Sequence, residues 1–303
     1  MLLCAHIDTV PLTAPLDPVL VDGGWENAGP GILGADNKAA VAVILGVARR
    51  AAERGCPVNL ELLFTIGEET ALAGARAFDV DQLACTFGYV FDHASPIGEV
   101  IVASPTQYRI DASFKGLAAH AGISPELGRS AIVAAARAVS AMSLGRLDEQ
   151  TTANVGEISG GTAMNVVPER CDLVAEARSL DAERVERVVA EMVDHLHDAA
   201  NLPDCECDLD VGVQKMFTGY RVTPSAAPVA VAETALRECG YEPTRVASGG
   251  ASDANVFQAH GLSIINLANG TERPHQATER VSVEALEAML DVALTLVERA
   301  GGD

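Results

Sequence analysis

The sequence predicts an α/β fold with a ferredoxin-like α+β domain inserted into it, and three observations carry that reading. Through the first hundred residues, apolar strand-like runs alternate with helix-like runs, an order that gives a mainly parallel sheet covered by helices. Over 106–214 the order becomes β-α-β-β-α-β, the ferredoxin-like motif. From about 224 the α/β pattern returns. One domain therefore spans 1–105 and 215–303, and the other 106–214. At 303 residues and 49% hydrophobic, the chain has enough apolar material for two cores.

Each element has a local reason. Leu2 to Val10 is an apolar run that ends in His6 and Asp8, so a strand leads into polar residues. Asp36 to Arg54 reads as a helix, apolar through Ala39–Leu45 and stopped by Gly55. Val58 to Ile66 is a second strand, Glu69 to Phe78 a helix and Phe87 to Phe91 a third strand. In the middle segment Tyr108 to Phe114 alternates as a strand, and Ser130 to Met142 is a helix with an Ala/Val face. Thr152 to Ile158 and Cys171 to Ala177 are strands, followed by an amphipathic helix with Asp181 placed as its N-cap. Cys205 to Val213 reads as a strand with Cys205 and Cys207 facing inward. The last part gives helix Ala226–Cys239, strands Thr244–Ala247 and Leu262–Leu267, and helix Val283–Arg299.

Composition narrows the function classes. The formal net charge is −21, which repels phosphate backbones and anionic lipid, so neither nucleic acid nor a membrane surface is an expected partner. The seven cysteines have no spacing typical of a disulfide framework or a thiolate zinc site. With no signal-like or membrane-spanning segment, this favours the cytoplasm.

In open α/β sheets, sites form at the carboxyl ends of the strands. Those ends carry His6 and Asp8, then Glu68 and Glu69, then Asp92, while Asp36 opens the first long helix. Each acid alone has an ordinary explanation, as a solvated strand end or a carboxylate at a helix N-terminus. Together they converge on one edge of one sheet, where carboxylates repel and take up protons unless a cation lies among them. Imidazole and carboxylate donors suit zinc. Adjacent Glu68 and Glu69 diverge, so one can bind an ion while the other serves as a general base.

Three motifs, Ala5–Val10, Gly34–Lys38 and Gly67–Glu69, with Asp92 and His275, resemble the zinc exopeptidase family that holds peptidase T, carboxypeptidase G and the aminoacylases. Lys115–Gly122, Gly160–Asn165 and Gly249–Asn255 most resemble its peptidase-T-like branch. The likeness runs nearly the whole length of the chain. It implies a zinc-hydrolase catalytic domain and makes the ferredoxin-like insert a lid and dimerisation domain. It implies two Zn2+ per subunit, with Co2+ or Mn2+ as alternatives. His6 and Asp92 would hold one ion, Glu69 and His275 the other, and Asp36 would bridge them at about 3.5–4 Å with a water between. Asp8 would orient His6. Glu68 would be the general base, and His120 would stabilise the oxyanion in the neighbouring subunit's site. Asn165, Arg221, Ser252 and Asp253 match positions that hold the substrate's polar ends.

The function so implied is tripeptide aminopeptidase-like hydrolysis of short peptides by a homodimer. An N-acyl amino acid deacylase or desuccinylase on the same site is the alternative enzyme. A non-catalytic metal-binding dimer is the alternative of another class, but it has no need of Glu68 beside a ligand. One departure stands out: family members carry a further helix and strands before the first ligand-bearing strand. Relative to them the catalytic domain is truncated at its N-terminus, which predicts poorer solubility or weaker activity than an extended form.

Overall fold

A computed structural model of the chain describes residues 1–302. In chain order it contains β1 (Leu2–His6), β2 (Pro18–Val21), β3 (Gly24–Asn27), α1 (Ala35–Arg54), β4 (Glu61–Thr65), α2 (Ala73–Ala77), β5 (Phe87–His93) and β6 (Glu99–Ser104). Then follow β7 (Thr106–Lys115), α3 (Ala131–Ala141), β8 (Gly145–Arg146), β9 (Thr151–Gly160), β10 (Arg170–Ser179), α4 (Ala182–Ala200) and β11 (Asp208–Phe217). The chain continues with β12 (Tyr220–Arg221), α5 (Ala227–Glu238), β13 (Thr244–Ala247), α6 (Asp253–Ala259), β14 (Ser263–Ala268), β15 (Thr271–Glu272), β16 (Arg280–Ser282) and α7 (Val283–Ala300). Two compact units result: Met1–Ser104 with the chain from Tyr220 onward, and Pro105–Gly219.

The first unit is built on a seven-stranded sheet in the order β12-β6-β14-β5-β1-β4, with β13 also paired to β6. β1 runs parallel to β4 and β5, and β14 parallel to β5, while β6 is antiparallel to β14 and β12. Every residue of β1 is buried, as a parallel strand covered on both faces requires. Alternation splits its side chains. Leu3 and Ala5 enter a core with Val43 and Ile44 of α1, Leu236 of α5 and Leu296 of α7. Leu2, Cys4 and His6 point to the opposite face. That alternation delivers a buried imidazole to the end of β1, between β5 and the edge strand β4.

Several elements differ from the sequence expectation. β4 starts at Glu61 rather than Val58. The helix expected over Glu69–Phe78 shrinks to Ala73–Ala77, because Ala71 and Leu72 adopt φ of 65° and 60°, which a right-handed helix excludes. Those preceding residues form the turn that presents Glu68 and Glu69. A small sheet in the order β15-β16-β3-β2 has no counterpart in the sequence reading, since its short strands carry little apolar periodicity.

The second unit has sheet order β11-β7-β10-β9-β8, antiparallel throughout. Helices α3 and α4 share a core with the sheet, built on Ile110, Phe114, Leu173, Val185, Met192 and Leu196. Ser130 caps α3 through the Val133 amide, and Asp181 caps α4 by accepting from the Glu183 and Arg184 amides at 2.9 and 3.1 Å. β11 begins at Asp208, so Cys205 and Cys207 precede the strand instead of belonging to it, with Glu206 at φ 37° between them. Both thiols are nevertheless buried.

Candidate metal centre

Three carboxyl ends of the first unit's sheet supply the centre. β1 ends in His6, whose ring is buried, with 1% of its surface exposed. β5 carries Asp92 near its end, and the turn after β4 carries Glu68 and Glu69. Gly67 adopts φ 70°, and a Cβ there would fall 2.9 Å from the Thr70 hydroxyl, so the turn requires glycine. Gly34, at φ 75°, reverses the chain into α1 and brings Asp36 to the same edge. Asp36 and Asn37 have non-helical dihedral angles, and the peptide between them is cis.

The side chains meet in a defined pattern. His6 Nε2 lies 3.2 Å from Asp36 Oδ1 and 3.4 Å from Asp92 Oδ1. His275 Nε2 lies 3.3 Å from Asp36 Oδ2 and 2.9 Å from Glu69 Oε1. Each oxygen of Asp36 thus faces a different imidazole. Two groups of donors, His6–Asp36–Asp92 and Asp36–Glu69–His275, each have their ligand atoms within 4.8 Å of one another, and they share Asp36. A third group, His6–Glu68–Glu69, overlaps them. The direct 2.9 Å contact assigns Glu69 to the His275 side. His275 itself adopts φ 64°, a conformation that costs a non-glycine residue about 1–3 kcal/mol and collects at functional sites.

Asp8 ties the two halves together. Its Oδ1 is 3.4 Å from His6 Nδ1, and its two oxygens accept the amides of Glu68 and Glu69, each at 3.2 Å. The Asp8 carbonyl oxygen also lies 3.1 Å from His6 Nδ1. Both partners of Nδ1 are acceptors, so that nitrogen carries a proton, and Nε2 is the ring atom turned to the acids, a ligand atom once a cation takes the place of its proton.

Electrostatics show what the crowding does. Burial opposes charge on His6, but the Asp36 and Asp92 carboxylates outweigh it and push the imidazole up to about 12. The Asp36 bond raises His275 to about 9. Burial, reinforced by the Asp92 charge, pushes Glu68 up to about 10. Burial raises Asp92 to about 7. Asp36 is held below the usual carboxylate range: burial opposes this, but His275 and His6 overcome it. Acids that keep protons near neutrality, aimed at two imidazoles, form a donor set that fits divalent cations, which would take the place of those protons.

The other candidate residues fall into two groups. Arg221 is exposed on β12 and has no ion-pair partner among the described residues. Asn165 and His120 are exposed in the second unit, where the Asn165 carbonyl accepts the Ala121 amide. Gly122 donates its amide to His120 Nδ1 at 3.1 Å, so the neutral ring carries its proton on Nε2. Ser252 and Asp253 are placed differently from what contact with a substrate requires. Both are buried, at 2% and 1% exposure. Ser252 forms a capping box with Asn255 at the start of α6, and Asp253 accepts a bond from the Thr65 hydroxyl.

Two residues that hold the site escaped the sequence reading. Asn266 bonds both main-chain groups of Asp92. Buried Glu279 accepts the amides of Gly34 and Asp36. Asn266 left a signal, a lone amide in the apolar run Ile264–Leu267. Glu279 left none, since its partners lie 243 and 245 residues away in sequence.

Fold and donor set together define a metal-dependent hydrolase. Residues 106–202 match the family described as the peptidase dimerisation domain of M20 peptidases, and residues 1–108 match peptidase family M28. An uncharacterized protein YqjE of Bacillus subtilis is 37% identical over 297 residues, covering 98% of this chain and 80% of that protein. The crystal structure of aminopeptidase PepT from Bacillus cereus superposes with a TM-score of 0.87 at 38% identity, covering 98% of this chain and 79% of that one. A tripeptidase from Staphylococcus aureus gives 0.94 at 34% identity, covering 100% and 81%. The chain spans 65% of the length of the Peptidase T of Pasteurella multocida. The chain belongs to the M20 metallopeptidases, in their peptidase-T-like branch. Among the described residues, no helix is long and apolar enough to cross a membrane.

Proposed function

We propose that the protein is a dizinc aminopeptidase of short peptides, acting in the cytoplasm as a homodimer. The carrying observation is the pair of contacts from one carboxylate, Asp36, at 3.2 and 3.3 Å from the rings of His6 and His275. A carboxylate so placed is suited to bridging two cations, with His6 and Asp92 completing one set and Glu69 and His275 the other. Bound there, a cation pair would polarise the scissile carbonyl and make water acidic near neutrality.

The chain's own residues supply the rest. Glu68 takes a proton from the attacking water as the C–O bond forms, then passes it to the leaving amine nitrogen as the C–N bond breaks. Asp8 fixes the His6 ring and, through their amides, the backbone of Glu68 and Glu69. His120, with its proton on Nε2, has the tautomer that an oxyanion donor needs. The role of His120 rests otherwise on the family resemblance, as does that of Asn165 toward the substrate. Arg221, with no carboxylate paired to it among the described residues, suits bidentate binding of a substrate carboxylate. Ser252 and Asp253 act through the fold beneath the centre and not by touching substrate.

A second copy of the chain is the partner favoured by the second unit's surface. Ile132 and Val133 of α3 are 38% and 41% exposed, and Ile158 of β9 is 53% exposed. Beyond its short pairing with β8, β9 leaves an edge open on that side. All seven thiols are free, in keeping with a reducing compartment.

The test of the enzymatic reading is Glu68→Gln assayed on tripeptides and on acyl-amino acids. Zinc content should stay at the wild-type level while kcat falls by roughly 10²–10⁴. Undiminished turnover would remove Glu68 as the base. Preference for acyl-amino acids would select a deacylase.

A further inference from the structure

The start of α1, which carries Asp36, has no side-chain cap of its own. Gly34 stands at the N-cap of α1 and offers no capping group. The amides of Gly34 and Asp36 point away from solvent, and both are taken by one carboxylate from the far end of the chain. Glu279 Oε2 accepts the Gly34 amide at 2.6 Å, and Oε1 accepts the Asp36 amide at 2.8 Å. Glu279 is 1% exposed. It stands at the end of the loop whose other member is His275, and its own amide is bonded to the Gln276 carbonyl at 2.9 Å. A single side chain therefore joins the His275 loop to the Asp36 loop.

The geometry points to Glu279 as a positioning residue for the two-cation centre: its carboxylate sets the Asp36 backbone so that one oxygen faces His6 and the other faces His275. The inference rests on the dinuclear reading above. Its physical basis is direct. Each of the two amides takes its own oxygen, and a carboxylate presents both oxygens without a competing donor. The positive end of α1 adds a favourable field for the negative charge. Glutamine has the same shape but turns one acceptor into an NH2 group facing an N–H donor, so one of the two amides must let go. Asp36 then loses its fixed orientation, and the ring of His275 loses its register with it.

A carboxylate that only capped α1 would affect folding and nothing else. The two roles separate in the cobalt-substituted protein, where visible absorption reports ligand geometry and titration reports affinity. Wild type should bind two Co2+. Folded Glu279→Gln should bind at least one of them roughly ten- to a hundredfold more weakly, with altered absorption bands, as the loss of a group orienting a metal ligand does. Glu279→Asp keeps both oxygens but withdraws them by one methylene. It should show the same change in smaller measure, and it serves if the glutamine variant does not fold. Either variant folded, with wild-type affinity for both ions and a wild-type spectrum, would overturn the role. Wild-type protein that binds no second ion would instead overturn the dinuclear reading, and this inference with it.

Discussion

Asn266 holds Asp92 by both of its main-chain polar groups. The Asn266 Oδ1 accepts the Asp92 amide at 2.8 Å, and its Nδ2 donates to the Asp92 carbonyl at 3.1 Å. The asparagine is on β14 and the aspartate on β5, and the two strands are parallel neighbours. A side chain thus supplies ladder-like bonds where β5 turns its carboxylate toward His6. Asn266→Leu would fill similar volume and leave both groups unpaired. We expect a loss of about 1–3 kcal/mol of stability from the stranded groups, with weaker metal binding on the His6 side. Denaturant unfolding and metal titration would measure the two effects, and an unperturbed Asp92 would leave both unchanged.

Asp36 faces both imidazoles, whereas Glu69 makes its 2.9 Å contact with His275. Asp36→Ala should therefore weaken both ions together, while Glu69→Ala should weaken one and spare the other. Stepwise titration of the chelator-treated protein with zinc distinguishes the patterns. Two sites that respond independently to Asp36→Ala would mean that the carboxylate bridges nothing.

The metal-free centre sets a pH dependence whose sign follows from the raised values. His275 is raised from 6.5 to about 9, His6 from 6.5 to about 12, and Glu68 from 4.5 to about 10. Each group binds its proton more tightly folded than unfolded. Its contribution is present in full below the ordinary value and fades as pH climbs toward the raised one. Chelated protein should melt at progressively lower temperature from pH 6.5 to 9. Added zinc displaces those protons, so the zinc-loaded form should lose less stability over that range. A melting temperature that rises with pH in chelator would contradict this arrangement of charges.

Ile158 lies on the open edge of β9, 53% exposed. Replacing it with Asp places a charge where a second copy would dry the surface. Sedimentation should shift from dimer toward monomer while the thermal melt of the second unit stays near wild type. A dimer that persists would place the contact on another face.

Much of the centre was legible in the sequence because its chemistry is local to strand ends. His6, Glu68, Glu69 and Asp92 follow apolar runs, and polar residues at such ends collect along one sheet edge whatever the loops do. The inserted ferredoxin-like order was equally legible, since periodicity and caps such as Asp181 are local signals. The turn at Ala71 and Leu72 was not, because nothing in an alanine-rich stretch announces a left-handed backbone. The burial of Ser252 and Asp253 was hidden too, since a polar pair before a helix reads the same whether it caps the helix or greets a substrate.

By itself, then, the sequence determined which donors exist and at which element ends they stand, because strand period and helix capping depend on neighbours in the chain. Only the tertiary structure decided how those donors pair: that Asp36 divides its oxygens between His6 and His275, and that Asn266 and Glu279 hold the backbone of Asp92 and of Gly34 and Asp36. Those choices join residues 30 to 245 positions apart. They are fixed by packing and by the need of each buried amide for an acceptor, which no local pattern encodes.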